Sequence, residues 1–135
     1  MKTLVFDIDG TICDEQSDLD YADRLPHIPM IEKIRDYKAL GFKIIFFTAR
    51  NMRTYQGSLG KINANTLPVL IEWLKKHKVP YDEIHVGKPW CGVEGYYIDD
   101  RAIRPSEFLT KTADDIRRLL DEESKKIQSL DRFNL

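Results

Sequence analysis

Apolar residues fall into short continuous runs in some parts of this chain and recur every three or four positions in others. The continuous runs cover residues 3–8, 42–47, 83–86 and 95–98, and each predicts a buried strand. Strands that are apolar on both faces and alternate with helices are typical of a parallel sheet with helices on each side. The pattern therefore predicts an α/β fold.

Helical spacing appears in three segments between and after these runs. The first contains Ile31, Ile34, Tyr37 and Leu40 and is stopped by Gly41. The second covers residues 67–74 and follows a loop predicted for residues 49–65. The third begins at Thr112, where Asp115 stands three positions later as in a capping box.

The apolar stripe of the C-terminal helix is longer than the helix would need in order to cover a small sheet. The stripe consists of Ile116, Leu119, Leu120, Ile127 and Leu130. Two uses remain open, namely packing on the flank of its own domain and contact with a second copy of the chain. The second use predicts a homo-oligomer.

Composition narrows the class of protein further. With 135 residues and 42% hydrophobic content, the chain fits one domain, residues 1–135. Its 21 basic and 22 acidic residues give a formal net charge of -1, so no global attraction to nucleic acid or membrane is expected. No apolar run is long enough to span a bilayer, and the N-terminus is too charged for a signal peptide. We expect a cytoplasmic protein whose Cys13 and Cys91 are reduced thiols.

Polar side chains of a restricted kind follow the four predicted strands. In an open parallel sheet, ligands bind beyond the carboxyl ends of the strands, so these side chains are expected to share one site. They are carboxylates, one hydroxyl and one ammonium, from Asp7, Asp9, Thr48, Lys88, Asp99 and Asp100.

This set of groups suits phosphoryl transfer, in which the protein positions groups and neutralises spreading negative charge. Carboxylates alone would repel a phosphate, so a divalent cation is expected, and Mg²⁺ prefers such oxygen ligands. Asp7 and Asp99 are the first candidates for ligands. Lys88 is expected to keep Asp7 ionised and to contact a phosphate oxygen, while Thr48 and nearby amides donate to the others. Asp9 is the candidate acid and base.

The same residues resemble the signature motifs of the haloacid dehalogenase (HAD) superfamily. Asp-Ile-Asp-Gly-Thr at residues 7–11 is similar to the first motif, Thr48 to the second, Lys88 to the third, and Asp99 with Asp100 to the fourth. The resemblance implies a Rossmann-like core and a phosphoaspartate formed on Asp7. It also implies Mg²⁺ held by Asp7, the backbone carbonyl of Asp9 and Asp99, with Asp100 in support. An aspartate at position 9 is typical of the phosphatases of the superfamily.

Neither usual insertion point has room for a large cap domain, since residues 11–30 allow only a flap and residues 48–88 a loop and one helix. A capless enzyme acts on a bulky substrate or takes a lid from a neighbouring subunit. Thr-Ala-Arg-Asn-Met-Arg-Thr and Gly-Lys-Pro-Trp-Cys-Gly further resemble small bacterial HAD phosphatases of capsule and surface polysaccharide synthesis. The resemblance implies a sugar phosphate as substrate.

Substrate contacts are expected from the first motif and from the loop after the second strand. Gly10 allows a sharp turn beside the substrate, and Thr11 and Ala49 adjoin the motif residues. For the basic residues of the loop two interpretations remain, binding of acid or hydroxyl groups on the substrate, or solvation at the surface. These residues are Arg50, Arg53, Lys61 and the neighbouring Asn63.

Two other function classes compete with a small-molecule phosphatase. One is a non-catalytic module that binds a sugar phosphate or magnesium as a partner protein, although the complete set of motif residues disfavours it. The other is a phosphatase of a macromolecular substrate, such as a nucleic-acid end or a phosphoprotein. The balanced charge disfavours nucleic acid.

Overall fold

The computed structural model describes residues 2–15 and 18–131. They belong to two units with their own internal contacts, Met1–Trp90 and Cys91–Leu135. The single domain expected over residues 1–135 stays a prediction.

The first unit is built on a parallel sheet. Its strands are β1 (Thr3–Phe6), β2 (Lys43–Phe47) and β3 (Glu83–His85), in the order β1-β2-β3. Both neighbouring pairs are parallel, so their carboxyl ends lie at one edge. The sequence predicted all three strands to within two residues.

The central strand supplies the middle of the core. Phe46 lies opposite Phe6 in β1 and Ile84 in β3, and the side chains of Phe46 and Ile44 are fully buried. The alternate β2 residues are only half-buried, so the strand buries one face more deeply than the other.

Two longer helices and a short helical segment accompany the sheet. They are α1 (Ile28–Ala39), α2 (Leu59–Lys61) and α3 (Leu67–Lys76), with a π-helical turn at Ile62–Thr66 between the last two. Helix α1 begins with a proline in its first turn, where the missing N–H costs no hydrogen bond. The two longer helices contribute Met30, Ile31, Ile34, Leu70, Trp73 and Leu74 to the core.

Helical structure begins earlier than expected in the segment after β2. Residues 49–65 were predicted to be a loop, but α2 begins at Leu59 and the π-helical turn continues it. Ser58 explains the start, because its side chain accepts a hydrogen bond from the Lys61 amide at 3.4 Å and so caps the first turn.

The predicted fourth strand is wrong. Residues 95–98 form no strand, and Tyr96 and Ile98 are 77% and 90% exposed. An apolar run becomes a strand only when a neighbour completes its hydrogen bonds and another layer covers its side chains. A turn precedes the run, and it is so tight that a Cβ on Gly95 would collide with the Cys91 carbonyl.

The described residues of the second unit form two helices, α4 (Pro105–Thr110) and α5 (Ala113–Asp131). The predicted capping box of α5 is confirmed, since Thr112 Oγ1 accepts from the Asp115 amide at 3.1 Å and Asp115 accepts from the Thr112 amide. Ile127 and Leu130 of its apolar stripe are about half exposed.

The expected fold class is confirmed as an α/β fold, with a small parallel sheet flanked by helices and no large cap. In the part of the chain that the structure describes, no helix combines the length and the apolar character needed to cross a bilayer.

Candidate active site

Asp7 and Lys88 meet at the carboxyl edge of the sheet. Asp7 directly follows β1, and Lys88 comes three residues after β3. The Lys88 ammonium nitrogen lies 3.6 Å from Asp7 Oδ1. The Thr11 hydroxyl contacts the other oxygen of the Asp7 carboxylate at 3.4 Å. The pair joins the first and third sequence motifs.

Burial controls the charge of Asp7. Removal from water raises the pKa of the Asp7 carboxyl, while the positive charge of Lys88 opposes this rise and the negative charge of Asp9 adds to it. Because the net direction is upward, an ionised Asp7 is costly in the folded protein. A cation close to this carboxylate would offset that cost.

Thr48 links the second motif to the third through its backbone. Its amide donates to the His85 carbonyl at 2.9 Å, and its carbonyl accepts from the Lys88 amide at 3.1 Å. The Thr48 hydroxyl oxygen accepts from the Arg50 amide at 3.1 Å, and the residue is 1% exposed. These bonds extend the sheet ladder and fix the main chain of Lys88 beside Asp7.

Two glycines make the turns that present the motif residues. Gly10 and Gly87 have φ angles of +86° and +84°, in the region that residues with a Cβ rarely adopt. A Cβ on Gly87 would also press against the side chain of Leu59. Gly10 therefore shapes the turn after Asp9, and Gly87 shapes the turn that leads to Lys88.

Arg50 binds Asp9 with two hydrogen bonds. Arg50 Nε donates to Asp9 Oδ2 at 3.1 Å, and Arg50 Nη2 donates to Asp9 Oδ1 at 2.9 Å. The Arg50 side chain is 1% exposed. Arg50 was predicted as a candidate substrate contact, whereas in the structure both of these donors are directed to Asp9.

Arg24 and Tyr21 complete the surroundings of Asp9 and were missed by sequence reasoning. Arg24 Nη1 lies 3.6 Å from Asp9 Oδ1, and the Arg24 and Arg50 guanidinium groups lie 4.5 Å and 4.2 Å from the Tyr21 ring centre. The backbone carbonyl of Arg24 accepts from the Trp73 indole at 2.8 Å. A basic residue in an otherwise acidic stretch is the only signal that the sequence offered.

Cys13 also contacts Asp9. Its thiol lies 3.4 Å from Asp9 Oδ1 and is fully buried. Burial, aided by the negative charge of Asp9, raises the pKa of the Cys13 thiol to about 12. The thiol is therefore a neutral hydrogen-bond donor here and is not a nucleophile.

The other candidate substrate residues lie farther along the loop. Ala49 is half-buried between Thr48 and Arg50, and Lys61 is exposed in α2, as is the following Asn63 in the π-helical turn. Arg53 lies over the exposed ring of Trp90, 5.2 Å from its centre. This pair connects the loop after β2 to the segment after Lys88.

Asp99 and Asp100 belong to the second unit. Both are exposed, and Asp99 Oδ1 accepts from the Arg101 amide at 2.7 Å. Within residues 2–15 and 18–131, no three His, Cys, Asp or Glu side chains are grouped to hold a metal ion. The metal-binding roles expected of Asp7, Asp9, Asp99 and Asp100 stay predictions.

One solved structure is similar to nearly the whole chain. It is the crystal structure of an MCSG target from Vibrio cholerae, with 55% sequence identity and a TM-score of 0.88. The match covers 91% of this chain and 99% of the other. This chain belongs to the family of that Vibrio cholerae protein. The relation shows that the two proteins share a fold, but it identifies no activity for either of them.

Other comparisons add little to this relation. No protein-family model matches the chain, and no curated protein matches it. A structure of the Pnkp1/Rnl/Hen1 complex is 20% identical with a TM-score of 0.49, over 82% of this chain and 34% of that chain. A similarity this weak indicates neither a family nor a function for this chain.

Proposed function

We propose that the protein is a magnesium-dependent phosphomonoesterase of the HAD type, with Asp7 as its nucleophile. The observation that carries the proposal is the approach of Lys88 to Asp7, at 3.6 Å, where the ends of parallel strands meet. A carboxylate beside an ammonium group, with a second carboxyl group two residues away at Asp9, supplies a nucleophile, a positive charge and an acid–base group for phosphoryl transfer through an aspartate.

In the first step, an oxygen of Asp7 attacks phosphorus and the bond from phosphorus to the ester oxygen breaks. The carboxyl group of Asp9 gives its proton to the departing oxygen, which leaves as an alcohol. Lys88 neutralises charge on the phosphoryl oxygens, and the Thr48 hydroxyl can donate a further hydrogen bond, because its bond from Arg50 uses it as an acceptor.

In the second step, water attacks the phosphorus of the phosphoaspartate. The Asp9 carboxylate takes a proton from that water, the bond from phosphorus to Asp7 breaks, and inorganic phosphate leaves. Both residues return to their starting protonation states, so the cycle consumes one ester and one water.

The donors around Asp7 suit magnesium. Mg²⁺ is usually bound by one or two carboxylates, with the remaining positions filled by waters and substrate phosphate oxygens, so a cluster of three acidic side chains is not required. The Asp7 carboxylate and the backbone carbonyl of Asp9 would hold the ion in the first unit. Asp99 and Asp100 remain sequence-based candidates for further ligands. When bound, the ion would neutralise charge on the phosphate.

A sugar phosphate is the substrate class that we propose. Trp90, which is 48% exposed and follows Lys88 by two residues, offers an aromatic surface, and the Arg53 side chain over its ring offers hydrogen-bond donors. Such surfaces pack against sugar rings and bind their hydroxyl groups. The motif resemblance to enzymes of polysaccharide synthesis supports the same class.

Phosphate release from a panel of substrates tests the proposal. The panel contains sugar phosphates, sugar-acid phosphates, nucleotides and an aryl phosphate, each assayed with Mg²⁺ and with chelator. We expect turnover that requires Mg²⁺ and favours sugar phosphates. The Asp7→Asn variant should lose at least about a thousandfold in kcat, because the amide is a far weaker nucleophile.

Asp82→Asn is the matched control, since Asp82 also pairs with a lysine, Lys38, at 2.7 Å, but it directly precedes β3 and so lies at the opposite end of the strands from Asp7 and Lys88. This variant should keep the wild-type kcat. Appreciable turnover by Asp7→Asn would exclude Asp7 as the nucleophile. If the folded wild-type protein released no phosphate from any compound, the binding-module hypothesis would replace the enzyme.

A further inference from the structure

The carboxyl group of Asp9 is held more firmly than its partial exposure suggests. Its side chain is 23% exposed, whereas the Arg50 side chain that binds it is 1% exposed. The two hydrogen bonds come from adjacent guanidinium atoms and reach different carboxylate oxygens. Such a bidentate pair fixes the plane of the carboxylate as well as its position.

The two oxygens of Asp9 have unequal surroundings. Oδ1 accepts from Arg50 Nη2 and contacts the Cys13 thiol at 3.4 Å, with Arg24 Nη1 at 3.6 Å. Within the described residues, Oδ2 receives only the bond from Arg50 Nε. Since each carboxylate oxygen has about two acceptor sites, the contacts of the described residues fill both sites of Oδ1 and leave one site open on Oδ2.

Arg50 is itself held in place from several sides. Its guanidinium group lies 4.2 Å from the Tyr21 ring centre, and its amide donates to the Thr48 hydroxyl. Arg50 also lines a cavity of about 70 Å³, which has room for about two water molecules. Among the described residues its buried Nη1 has no hydrogen-bond partner, and water is the usual partner of such a donor.

We propose that Arg50 is a positioning residue that fixes the plane of the Asp9 carboxyl group and leaves Oδ2 as the oxygen that serves the leaving group and the attacking water. The inference rests on the proposed phosphatase function and deepens it. A direct contact of Arg50 with substrate is disfavoured because its side chain is buried and two of its donors are already used by Asp9. Arg24 adds a second positive charge 3.6 Å from Oδ1, while its Nη1 donates to the Asp14 and Glu15 carbonyls at 3.0 Å.

The dependence of the rate on the leaving group separates this role from a merely structural one. An alkyl phosphate, such as a hexose phosphate, needs a proton on its leaving oxygen, whereas a dinitrophenyl phosphate does not. Arg50→Gln should therefore lower kcat/KM for the alkyl ester by about 10²–10⁴-fold, the usual contribution of a general acid. For the dinitrophenyl ester the loss should stay below about tenfold.

Arg50→Lys tests whether charge alone is sufficient. Lysine keeps the positive charge but cannot form the bidentate pair, so it should show the same selective loss. Arg24→Gln should show a smaller loss in the same direction, and it provides the test if Arg50→Gln does not fold.

The matched control is Arg35→Gln. Arg35 uses the same two kinds of guanidinium donor, with Nε donating to the Lys78 carbonyl at 3.0 Å and Nη2 to the His77 carbonyl at 2.8 Å. Its loss removes comparable hydrogen bonds without touching Asp9. This variant should retain kcat/KM for both esters.

The outcomes distinguish the inference from the function on which it rests. Equal losses on both esters in Arg50→Gln, no loss on either, or full rescue by Arg50→Lys would overturn the positioning role while leaving the phosphatase intact. A folded wild-type protein that hydrolyses neither ester would overturn the phosphatase, and the positioning role with it.

Discussion

The chemistry of each cysteine in this chain follows from its solvent exposure. Cys13 is buried against Asp9, where burial raises the pKa of its thiol to about 12, while Cys91 is exposed. Alkylation requires the thiolate and access for the reagent, and Cys13 lacks both. Cys13 is therefore an inert hydrogen-bond donor, whereas the Cys91 thiol is accessible to reagents.

Labelling with iodoacetamide at pH 8 tests this difference. We expect only Cys91 to be modified in the native protein, and both cysteines in urea. Mass spectrometry of the intact protein and of its peptides measures the stoichiometry and the position. Rapid labelling of Cys13 under native conditions would show that its thiol is accessible to solvent. The packing of Cys13 against Asp9 would then be incorrect.

The residues that could be predicted from the sequence are those whose side-chain type the proposed chemistry requires. The ends of the predicted strands gave Asp7, Asp9, Thr48 and Lys88, and the structure brings these residues together through the sheet and its hydrogen bonds. Arg24 was not found, because its approach to Asp9 depends on how a long polar segment folds back. No periodic pattern encodes such a contact.

At the scale of elements, Asp82 ties the end of α1 to the start of β2. Its carboxylate accepts from Lys38 of α1 at 2.7 Å and from the Ile44 amide of β2 at 2.8 Å. The Asp82 amide donates in turn to the Ile44 carbonyl at 2.8 Å. The hydrogen bond from Lys38, followed by that from the Ile44 amide, lowers the pKa of Asp82.

This lowered pKa predicts a pH-dependent effect of Asp82→Asn on stability. A carboxyl whose pKa is lower in the folded state stabilises the fold above its unfolded pKa, about 3.9, and stops doing so as the pH falls through its folded value. We expect a lower Tm for Asp82→Asn at pH 7 and a difference that shrinks below about pH 4. Thermal unfolding followed by circular dichroism at both pH values measures it.

Asp36→Asn is the control for that experiment. Asp36 is exposed on α1, two residues before Lys38, so its substitution should leave the Tm nearly unchanged at either pH. A difference for Asp82→Asn that persisted undiminished at pH 3 would mean that the ionised carboxylate is not the stabilising group.

The elements themselves differ in how far the sequence could predict them. The runs that became β1, β2 and β3 coincide with strands because each has a neighbour in the sheet. The run at residues 95–98 is also mostly apolar, but it follows a tight turn at Cys91, and Tyr96 and Ile98 remain exposed. The apolar content of a segment predicts its tendency to form a strand. Whether the strand forms also depends on a neighbouring strand, which only the whole fold provides.

At the scale of the whole molecule, acidic and basic residues are nearly equal in number, so the binding of an anion depends on the charged side chains at its site. The formal net charge is only -1, so long-range steering of a phosphate is weak. At the sheet edge three cationic side chains, Lys88, Arg50 and Arg24, lie beside the Asp7 and Asp9 carboxylates, so the local excess is a single positive charge. A dianionic phosphate that enters this edge therefore needs a further positive charge, which is the role expected of the metal ion.

Mg²⁺ should therefore stabilise the folded protein through Asp7. Because burial raises the pKa of the Asp7 carboxyl, a bound cation relieves an existing cost. At a free Mg²⁺ concentration of ten times Kd, linkage increases the free energy of unfolding by about 1.4 kcal/mol, which corresponds to a rise in Tm of a few degrees.

Differential scanning fluorimetry measures this rise in Tm. It should appear for wild type and for Asp82→Asn, and chelator should reverse it. Asp7→Asn should lose most of it, whereas an undiminished rise in that variant would locate the ion elsewhere.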